Sequence, residues 1–429
     1  MERLTIFASF PTAPLTDCVP NGDGLVAYHF LEALALRGHR LHVATPRAEL
    51  RRPFPGDVSV YEMNRTGEQA KPGTLAYMRW TRQILQSIRR SERVDLVHEL
   101  NPVFVLRSLA FADCGLPIVL GPHSSRWQDA NGRASPLARS MRTTRDLFKD
   151  VIIHQQHKRA NAILLSTLAA LNNVRNPEAR MESLFVLPLG LNTEEFSPAP
   201  EHVPDDPTVL FLANVVARKG IFSLLDAFSM LTARMPRAKL LIAGDGVDLA
   251  SVRQRVAAAS FHAQVTFAGR VDRAQVPDLM RRCTAYCLPS QGEPFGMTII
   301  EAMACGKPLV VTDAGGPACI VSDAGGRRVP VGDAVRLAEA LEELLSQPAL
   351  CRQMGRHNRA EVEAKYAWPV VAERLEKIYR SVLCAQSHAE SDHVTKQQIA
   401  AYRQKVIASL SPEPAAVTVL APGKLEAQL

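Results

Sequence analysis

The chain has 429 residues, which is more than one ordinary hydrophobic core accommodates, so two domains are expected. Its 47% hydrophobic and 22% charged residues are ordinary for a globular protein, and no stretch approaches the roughly 18 uninterrupted apolar residues of a membrane-spanning helix. The net charge of +7 favours anionic partners, but no basic motif interleaved with aromatic residues indicates nucleic acid. The eight cysteines follow no zinc spacing, so we expect free thiols and a cytoplasmic location.

Strand and helix patterns alternate from the beginning of the chain. Apolar periodicity predicts helices at 24–37 and 74–90, and short apolar runs predict strands at 4–9, 41–45, 94–98, 117–120, 162–166 and 184–188. Such βαβ alternation indicates a parallel sheet that is covered by helices on both faces.

A basic segment at residues 133–159 carries seven Lys and Arg against two Asp, with apolar residues between them. This pattern predicts an amphipathic helix, and we favour the solvated face of a domain helix. The alternative is peripheral contact with an anionic membrane surface, at the inner face of the membrane. The segment also holds His154 and His157, but no acidic residue stands at ligand spacing, so we interpret both as solvated and predict no metal site.

The second half of the chain repeats the alternation after a segment, 192–207, with four prolines and five acidic residues. That composition is typical of an interdomain linker. Strands are predicted at 208–213, 239–243, 265–268, 285–288 and 309–311, and helices at 221–234, 249–259, 274–282, 335–345, 348–365 and 369–383. The fold class is therefore α/β, with two Rossmann-like domains on either side of a cleft.

The most informative motif is Glu293-Pro-Phe-Gly-Met-Thr-Ile-Ile-Glu301-Ala-Met-Ala-Cys-Gly-Lys-Pro. It follows a predicted strand and precedes another, so it reads as strand, glycine-bearing loop, helix and strand. Such a turn presents backbone N–H groups and a positive helix end to an anion at the mouth of a parallel sheet. Carboxylates beside a sugar hydroxyl, with amides beside a phosphate, describe a pocket for a nucleotide sugar.

This motif resembles the signature of the family-four retaining glycosyltransferases, also called glycosyl transferases group 1, which have the GT-B fold. The resemblance covers the chain to about residue 383 and is strongest at 209–329. It implies transfer of a hexosyl unit from a UDP- or GDP-linked sugar to an acceptor hydroxyl, without a metal or other cofactor. It also implies that Glu301 binds the ribose hydroxyls, while Glu293 and the amides of Phe295, Gly296 and Met297 lie beside the transferred sugar.

The resemblance assigns the diphosphate to the loop Ala213–Gly220, where the family pattern has an Arg followed later by Lys-Gly. Lys219 matches the family's Lys, but Asn214 stands where the family has its phosphate-binding Arg. A missing cation weakens stabilisation of the leaving diphosphate. Arg218 is the candidate replacement, although it occupies a variable position of the pattern.

Other matches complete the expected site. His123 ends a strand where the family has a His facing the transferred sugar, and Gly24 belongs to an N-terminal glycine loop that contacts donor or acceptor. Arg270 and Val271 fall in the loop that contacts the base. The diglycine Gly315-Gly316 is interpreted as a backbone nest for phosphate or sugar.

The expected domains are an acceptor domain at 1–192, a nucleotide-sugar domain at 193–368, a helix at 369–386 that packs back on the first domain, and an extension at 387–429 with a mobile end. The acceptor is a lipid, a small molecule or a glycan. Two alternatives stay open: a dinucleotide-dependent oxidoreductase, because Rossmann-like domains host many functions, and a non-catalytic partner protein that retains the fold.

Overall fold

The first part of the chain forms a seven-stranded parallel sheet. The computed structural model describes residues 2–12, 14–18, 22–63, 73–100, 106–124, 151–174, 176–198, 206–384 and five positions between 395 and 401. The strands are β1 (Thr5–Ser9), β3 (Arg40–Thr45), β5 (Val58–Glu62), β6 (Leu96–Glu99), β7 (Ile118–His123), β8 (Ala162–Leu165) and β9 (Leu184–Val186), in the order β5-β3-β1-β6-β7-β8-β9. The short strands β2 (Leu15–Thr16) and β4 (Ala48–Glu49) pair with each other beside this sheet.

Helices cover both faces of this sheet and create two hydrophobic clusters. Helix α1 (Gly22–Leu36) contributes to one cluster, and α2 (Thr74–Ile88) contributes to the other. A third helix, α3, occupies 151–159. Of the basic segment predicted at 133–159, only this last part lies within the described residues, so its proposed amphipathic character and membrane contact stay predictions.

The second part of the chain forms a six-stranded parallel sheet in the order β12-β11-β10-β13-β14-β15. Its strands are β10 (Thr208–Leu212), β11 (Lys239–Ala243), β12 (Val265–Gly269), β13 (Ala285–Leu288), β14 (Leu309–Thr312) and β15 (Gly326–Val329). Helices α4 (Ile221–Arg234), α5 (Leu249–Ala257), α6 (Val276–Arg282), α7 (Met297–Ala304), α8 (Pro317–Ile320), α9 (Ala334–Ser346) and α10 (Pro348–Lys365) accompany it. Two parallel sheets with accompanying helices are the predicted α/β architecture.

The last long helix, α11 (Trp368–Cys384), packs against the first sheet, not the second. Its buried residues Val371, Leu375 and Ile378 join the cluster to which α1 contributes. Fully burying a large aliphatic side chain stabilises a fold by about 1.5–3 kcal/mol, so this apolar face holds the helix on the first domain. We retain 1–192, 193–368, 369–386 and 387–429 as the proposed domain boundaries.

The chain crosses between the sheets twice, and the two crossings are hydrogen-bonded to each other. The N–H of Leu191 donates to the carbonyl of Tyr366 at 2.7 Å, and the N–H of Trp368 donates to the carbonyl of Leu191 at 3.3 Å. Beyond the first crossing, Phe196 is fully buried in the core of the second domain. The beginning of the predicted linker is therefore packed onto that domain, because a buried aromatic ring anchors it.

Candidate functional site

A cleft of about 2230 Å³ lies between the two sheets, and both domains contribute to its walls. The carboxyl ends of the strands in a parallel sheet are where loops and helix N-termini meet, so polar groups gather there. Of the predicted site residues, ten line this cleft: Asn214, Lys219, Arg270, Val271, Glu293, Phe295, Gly296, Met297 and Glu301 from the second part of the chain, and His123 from the first.

Lys219 and Glu293 form an ion pair in the wall of the second domain. Lys219 ends a short 3₁₀ turn after β10, and Glu293 lies in the loop between β13 and α7. Their side chains are only 14% and 10% exposed, so water screens their attraction less than at an open surface. The pair places a cation and a carboxylate side by side. Such a pair can bind a ligand in which an anionic group, for the cation, lies next to hydroxyls, for the carboxylate.

The loop that carries Glu293 is supported from behind by the predicted diglycine. The N–H of Gly316 donates to the carbonyl of Glu293 at 2.7 Å. Gly315 has a φ of +63° and comes so close to the Glu293 carbonyl that a Cβ there would overlap it. Neither glycine lines the cleft. The diglycine therefore shapes the carboxylate loop, and its interpretation as a phosphate or sugar nest stays a prediction.

Glu301 lies on α7, one turn after the loop, and forms an ion pair with Arg273. The guanidinium Nη1 is 3.0 Å from the Oε1 atom of Glu301. Burial raises the pKa of Glu301, and the neighbouring Arg273 opposes this rise. Sequence reasoning missed Arg273, although it lies two positions after Val271, the second of the predicted base-contacting residues. All three line the cleft.

Arg218 and Gly24 are the two predicted site residues that do not line the cleft. Arg218 is exposed, and its backbone carbonyl accepts a hydrogen bond from the N–H of Gln291 at 2.8 Å. Gly24 is buried in α1, where a Cβ would overlap the carbonyl oxygen of Pro14. Close packing against the backbone explains Gly24. Arg218 lies outside the lining of the cleft, and its role as the replacement for the cation missing at Asn214 stays a prediction.

Neighbours of Gly24 do reach the cleft, since Gly22 and Asp23 are exposed there at the beginning of α1. Arg51 from the first domain also lines it. The sequence signal that could have found Gly22 and Asp23 is the same glycine loop, shifted by one or two positions.

His123 ends β7 on the first-domain side of the cleft. Its Nε2 atom is buried without a hydrogen-bond partner in the described part of the chain, and burial lowers the pKa of His123 to about 4. The imidazole is therefore neutral at ordinary pH and can donate or accept one hydrogen bond. Its ring lies edge-on to His157 of α3, with the centroids 5.2 Å apart. His157 is only 1% exposed, so its interpretation as a solvated histidine is wrong.

A buried histidine on the neighbouring strand fixes the backbone next to His123. The Nε2 of His98 donates to the Gly121 carbonyl at 2.9 Å, so Nδ1 must accept a hydrogen bond, and the Tyr379 hydroxyl lies 2.6 Å from it. Burial lowers the pKa of His98 to about 4. Through His98, α11 is connected to the end of β7. The sequence could not predict this contact, because His98 and Tyr379 are far apart in the chain.

No metal centre or membrane span emerges from the described ranges. Within them, no group of three or more His, Cys, Asp and Glu side chains is placed to hold a metal ion. Nor is any helix in the described part of the chain long and apolar enough to cross a membrane.

Family models match both halves of the chain. The model described as "Glycosyl transferase 4-like domain" matches residues 21–190, and the model "Glycosyl transferases group 1" matches residues 192–361. Among solved structures, sucrose-phosphate synthase from Thermosynechococcus elongatus superposes with a TM-score of 0.67 at 22% identity, covering 90% of this chain and all of that one. Anabaena HepE in complex with UDP and glucose gives a TM-score of 0.63 at 17% identity, covering 89% of this chain and all of that one.

Curated relatives agree with the family models. A phosphatidyl-myo-inositol mannosyltransferase of Mycobacterium leprae is 27% identical over 390 residues, covering 88% of this chain and 97% of the relative. An alpha-D-kanosaminyltransferase of Streptomyces kanamyceticus is 27% identical over 280 residues, covering 62% and 71%.

The two parallel sheets and the cleft between them define a GT-B fold, which the solved structures share. The chain belongs to the group 1 glycosyltransferases of the family-four type, and it is a glycosyltransferase. The predicted resemblance and fold class are confirmed. The oxidoreductase and the non-catalytic partner are not favoured.

Proposed function

We propose that this glycosyltransferase moves a hexosyl unit from a UDP- or GDP-linked sugar to an acceptor hydroxyl, with retention of the anomeric configuration and without a metal. The observation that carries the proposal is the meeting of Lys219, Glu293 and Glu301 with His123 in one cleft. A cation, two carboxylates and a neutral imidazole match a diphosphate, a ribose and a sugar.

In this proposal the diphosphate takes the place of Glu293 beside Lys219, and the freed Glu293 carboxylate accepts hydrogen bonds from the transferred sugar. The N-terminus of α7, with the amides of Gly296 and Met297, adds positive potential near the same point. Arg270 is a further cation in the cleft lining. These groups stabilise the charge that develops on the leaving diphosphate, which is the main electrostatic demand of the reaction.

The reaction then needs no protein nucleophile. The bond from the anomeric carbon to the phosphate oxygen breaks, and a bond from that carbon to the acceptor oxygen forms on the same face. The acceptor proton passes to the departing phosphate oxygen. His123, neutral because burial lowers its pKa to about 4, offers a hydrogen bond to a sugar hydroxyl without adding charge. Positioning and exclusion of water supply the rest.

The acceptor class is a second part of the proposal. The relatives include a phosphatidyl-myo-inositol mannosyltransferase and an alpha-D-kanosaminyltransferase, so lipid, small-molecule and glycan hydroxyls all belong in the test panel. Peripheral contact with an anionic membrane through 133–159 is proposed for the lipid case, with a cytoplasmic location.

A panel of UDP- and GDP-linked hexoses, with water as the default acceptor, tests the proposal. We expect slow release of free sugar from one donor class, unchanged by a chelating agent. Added acceptors should convert hydrolysis into transfer, and NMR of the product should show the donor's anomeric configuration. Absence of turnover together with absence of nucleotide binding would contradict the proposal, and an inverted product would contradict the mechanism.

A further inference from the structure

Arg273 stands between the nucleotide wall of the cleft and the crossing segment behind it. It belongs to the 3₁₀ turn Arg273–Gln275 that precedes α6, and its side chain is 32% exposed. In front it contacts Glu301, and behind it lies 3.7 Å from a carboxylate oxygen of Glu195. Its guanidinium carbon also lies 5.1 Å from the centre of the buried Phe196 ring. Three contacts thus hold this arginine in one orientation.

The contact with Glu301 engages only one of the two carboxylate oxygens. Arg273 bonds to Oε1, and within the described ranges no other side chain hydrogen-bonds to this carboxylate. Glu301 is only 5% exposed, so an isolated charge there would be costly. An ion pair at one oxygen keeps the group charged and leaves Oε2 to accept hydrogen bonds from a ligand in the cleft.

We infer that Arg273 is a positioning residue of the nucleotide site: it holds the Glu301 carboxylate ionised and oriented, so that Oε2 accepts hydrogen bonds from the ribose hydroxyls of the donor. The inference rests on the proposed function, because it takes the ligand of Glu301 to be a nucleotide. It assigns to Arg273 no contact with the reacting atoms. Glu195 and Phe196 of the crossing segment keep the guanidinium in place.

The experiment is calorimetric titration of the full-length protein with UDP and GDP and with their 2′,3′-dideoxy forms. The variants are Arg273→Met, which keeps most of the apolar stem, and Arg273→Lys, which keeps the charge but loses the planar fork. Arg253→Met is the matched control, since Arg253 lies over Phe267 on the same domain and does not line the cleft. Thermal unfolding of each variant establishes that it is folded.

We expect Arg273→Met to weaken binding of the preferred nucleotide by about tenfold or more, the usual effect of losing a hydrogen bond to a charged group. The same substitution should weaken binding of the dideoxy form much less, because that form has no ribose hydroxyls to donate hydrogen bonds to Glu301. The nucleotide affinity of Arg273→Lys should lie between those of Arg273→Met and the unsubstituted protein. Arg253→Met should bind nucleotide like the unsubstituted protein.

The pH dependence separates positioning from a general loss of structure. Arg273 and Glu195 face Glu301 from the connecting segments, Tyr286 faces it from β13, and Cys305 lies just beyond the same helix. Burial raises the pKa of Tyr286 and brings that of Cys305 to about 12, so neither ionises below pH 8. Without Arg273, the pKa of Glu301 rises further, and nucleotide affinity should fall more steeply on acidification than in the unsubstituted protein.

Two results would overturn the inference. One is a folded Arg273→Met variant that binds both nucleotide forms like the unsubstituted protein. The other is an equal loss for the ribose and dideoxy forms, which would place the effect of Arg273 outside the ribose contact. If the unsubstituted protein binds no nucleotide at all, the proposed function fails first, so the two failures are distinguishable.

Discussion

The ammonium group of Lys219 and the carboxylate of Glu293 are paired with each other in the wall of the cleft. The proposed ligand of Lys219 is a diphosphate, which must compete with Glu293 for the ammonium group. The proposed ligand of Glu293 is the transferred sugar, which can bind the carboxylate once it is freed. The pair keeps two charges satisfied in a poorly solvated site until an anion arrives. It also makes the two residues a coupled unit, so single substitutions should act unequally on the nucleotide and on the sugar.

Lys219→Ala should lower the rate of sugar transfer by about 100- to 1000-fold, the typical cost of removing one electrostatic group that stabilises a developing charge. Arg218→Ala is the adjacent control and should change the rate by less than about threefold, since Arg218 does not line the cleft. The measurement is initial rate at saturating donor. Comparable losses for both variants would restore Arg218 as the missing cation.

Glu293→Gln should weaken binding of the nucleotide sugar relative to the free nucleoside diphosphate. The amide removes a charged acceptor from the sugar, while Lys219 loses its competitor for the diphosphate. We expect unchanged or tighter binding of the diphosphate and a transfer rate at least about tenfold lower. Calorimetry on both ligands provides the comparison, and weaker diphosphate binding would contradict this account of the pair.

The transfer rate should show no ionisation of His123 between pH 5.5 and pH 8. Burial lowers the pKa of His123 to about 4, so the imidazole stays neutral throughout that range. His123→Asn, which retains a neutral hydrogen-bonding group, should therefore keep more activity than His123→Ala. An inflection near pH 6.5 that disappears in both variants would show that a charged imidazole takes part.

Glu99→Gln should stabilise the protein at alkaline pH. Glu99 is fully buried, neither of its carboxylate oxygens has a hydrogen-bond partner among the residues that the structure describes, and burial raises its pKa to about 8. Between pH 4.5 and pH 8 the folded state holds a proton that the unfolded state releases, so stability falls as pH rises through this window. The amide removes that loss of unfolding free energy, which is on the order of 4 kcal/mol at pH 8.

Thermal unfolding of Glu99→Gln at pH 5 and pH 8 is the measurement. The increase in unfolding temperature should be large at pH 8. It should be small at pH 5, where the carboxyl group of Glu99 is protonated in the folded state. Glu339→Gln, at an exposed position of α9, should change neither value. A gain that does not depend on pH would mean that packing of the amide, and not ionisation of Glu99, is responsible.

Most of the sheet architecture is predictable because central parallel strands are buried on both faces and appear as continuous apolar runs. The two strands of the main sheets that the pattern missed, β5 and β15, are edge strands, and the two-residue strands β2 and β4 were also missed. β5 is half-buried along its whole length, and β15 is the four-residue stretch Gly-Arg-Arg-Val. An edge strand has a neighbouring strand on one side only and is less buried than a central strand. Its sequence therefore lacks the continuous apolar run that marks a central strand.

The sequence by itself determined the class of enzyme and the wall of the cleft around Glu293 and Glu301, because one loop and one helix build that wall from consecutive residues. Only the tertiary structure decided which cations serve it. Arg218 and Lys219 are neighbours in the chain, yet only Lys219 lines the cleft, since a tight turn sends successive side chains in different directions. Arg273 precedes Glu301 by 28 positions in the chain. The two side chains meet only because β13 and α7 pack beside the loop that carries Arg270 and Arg273.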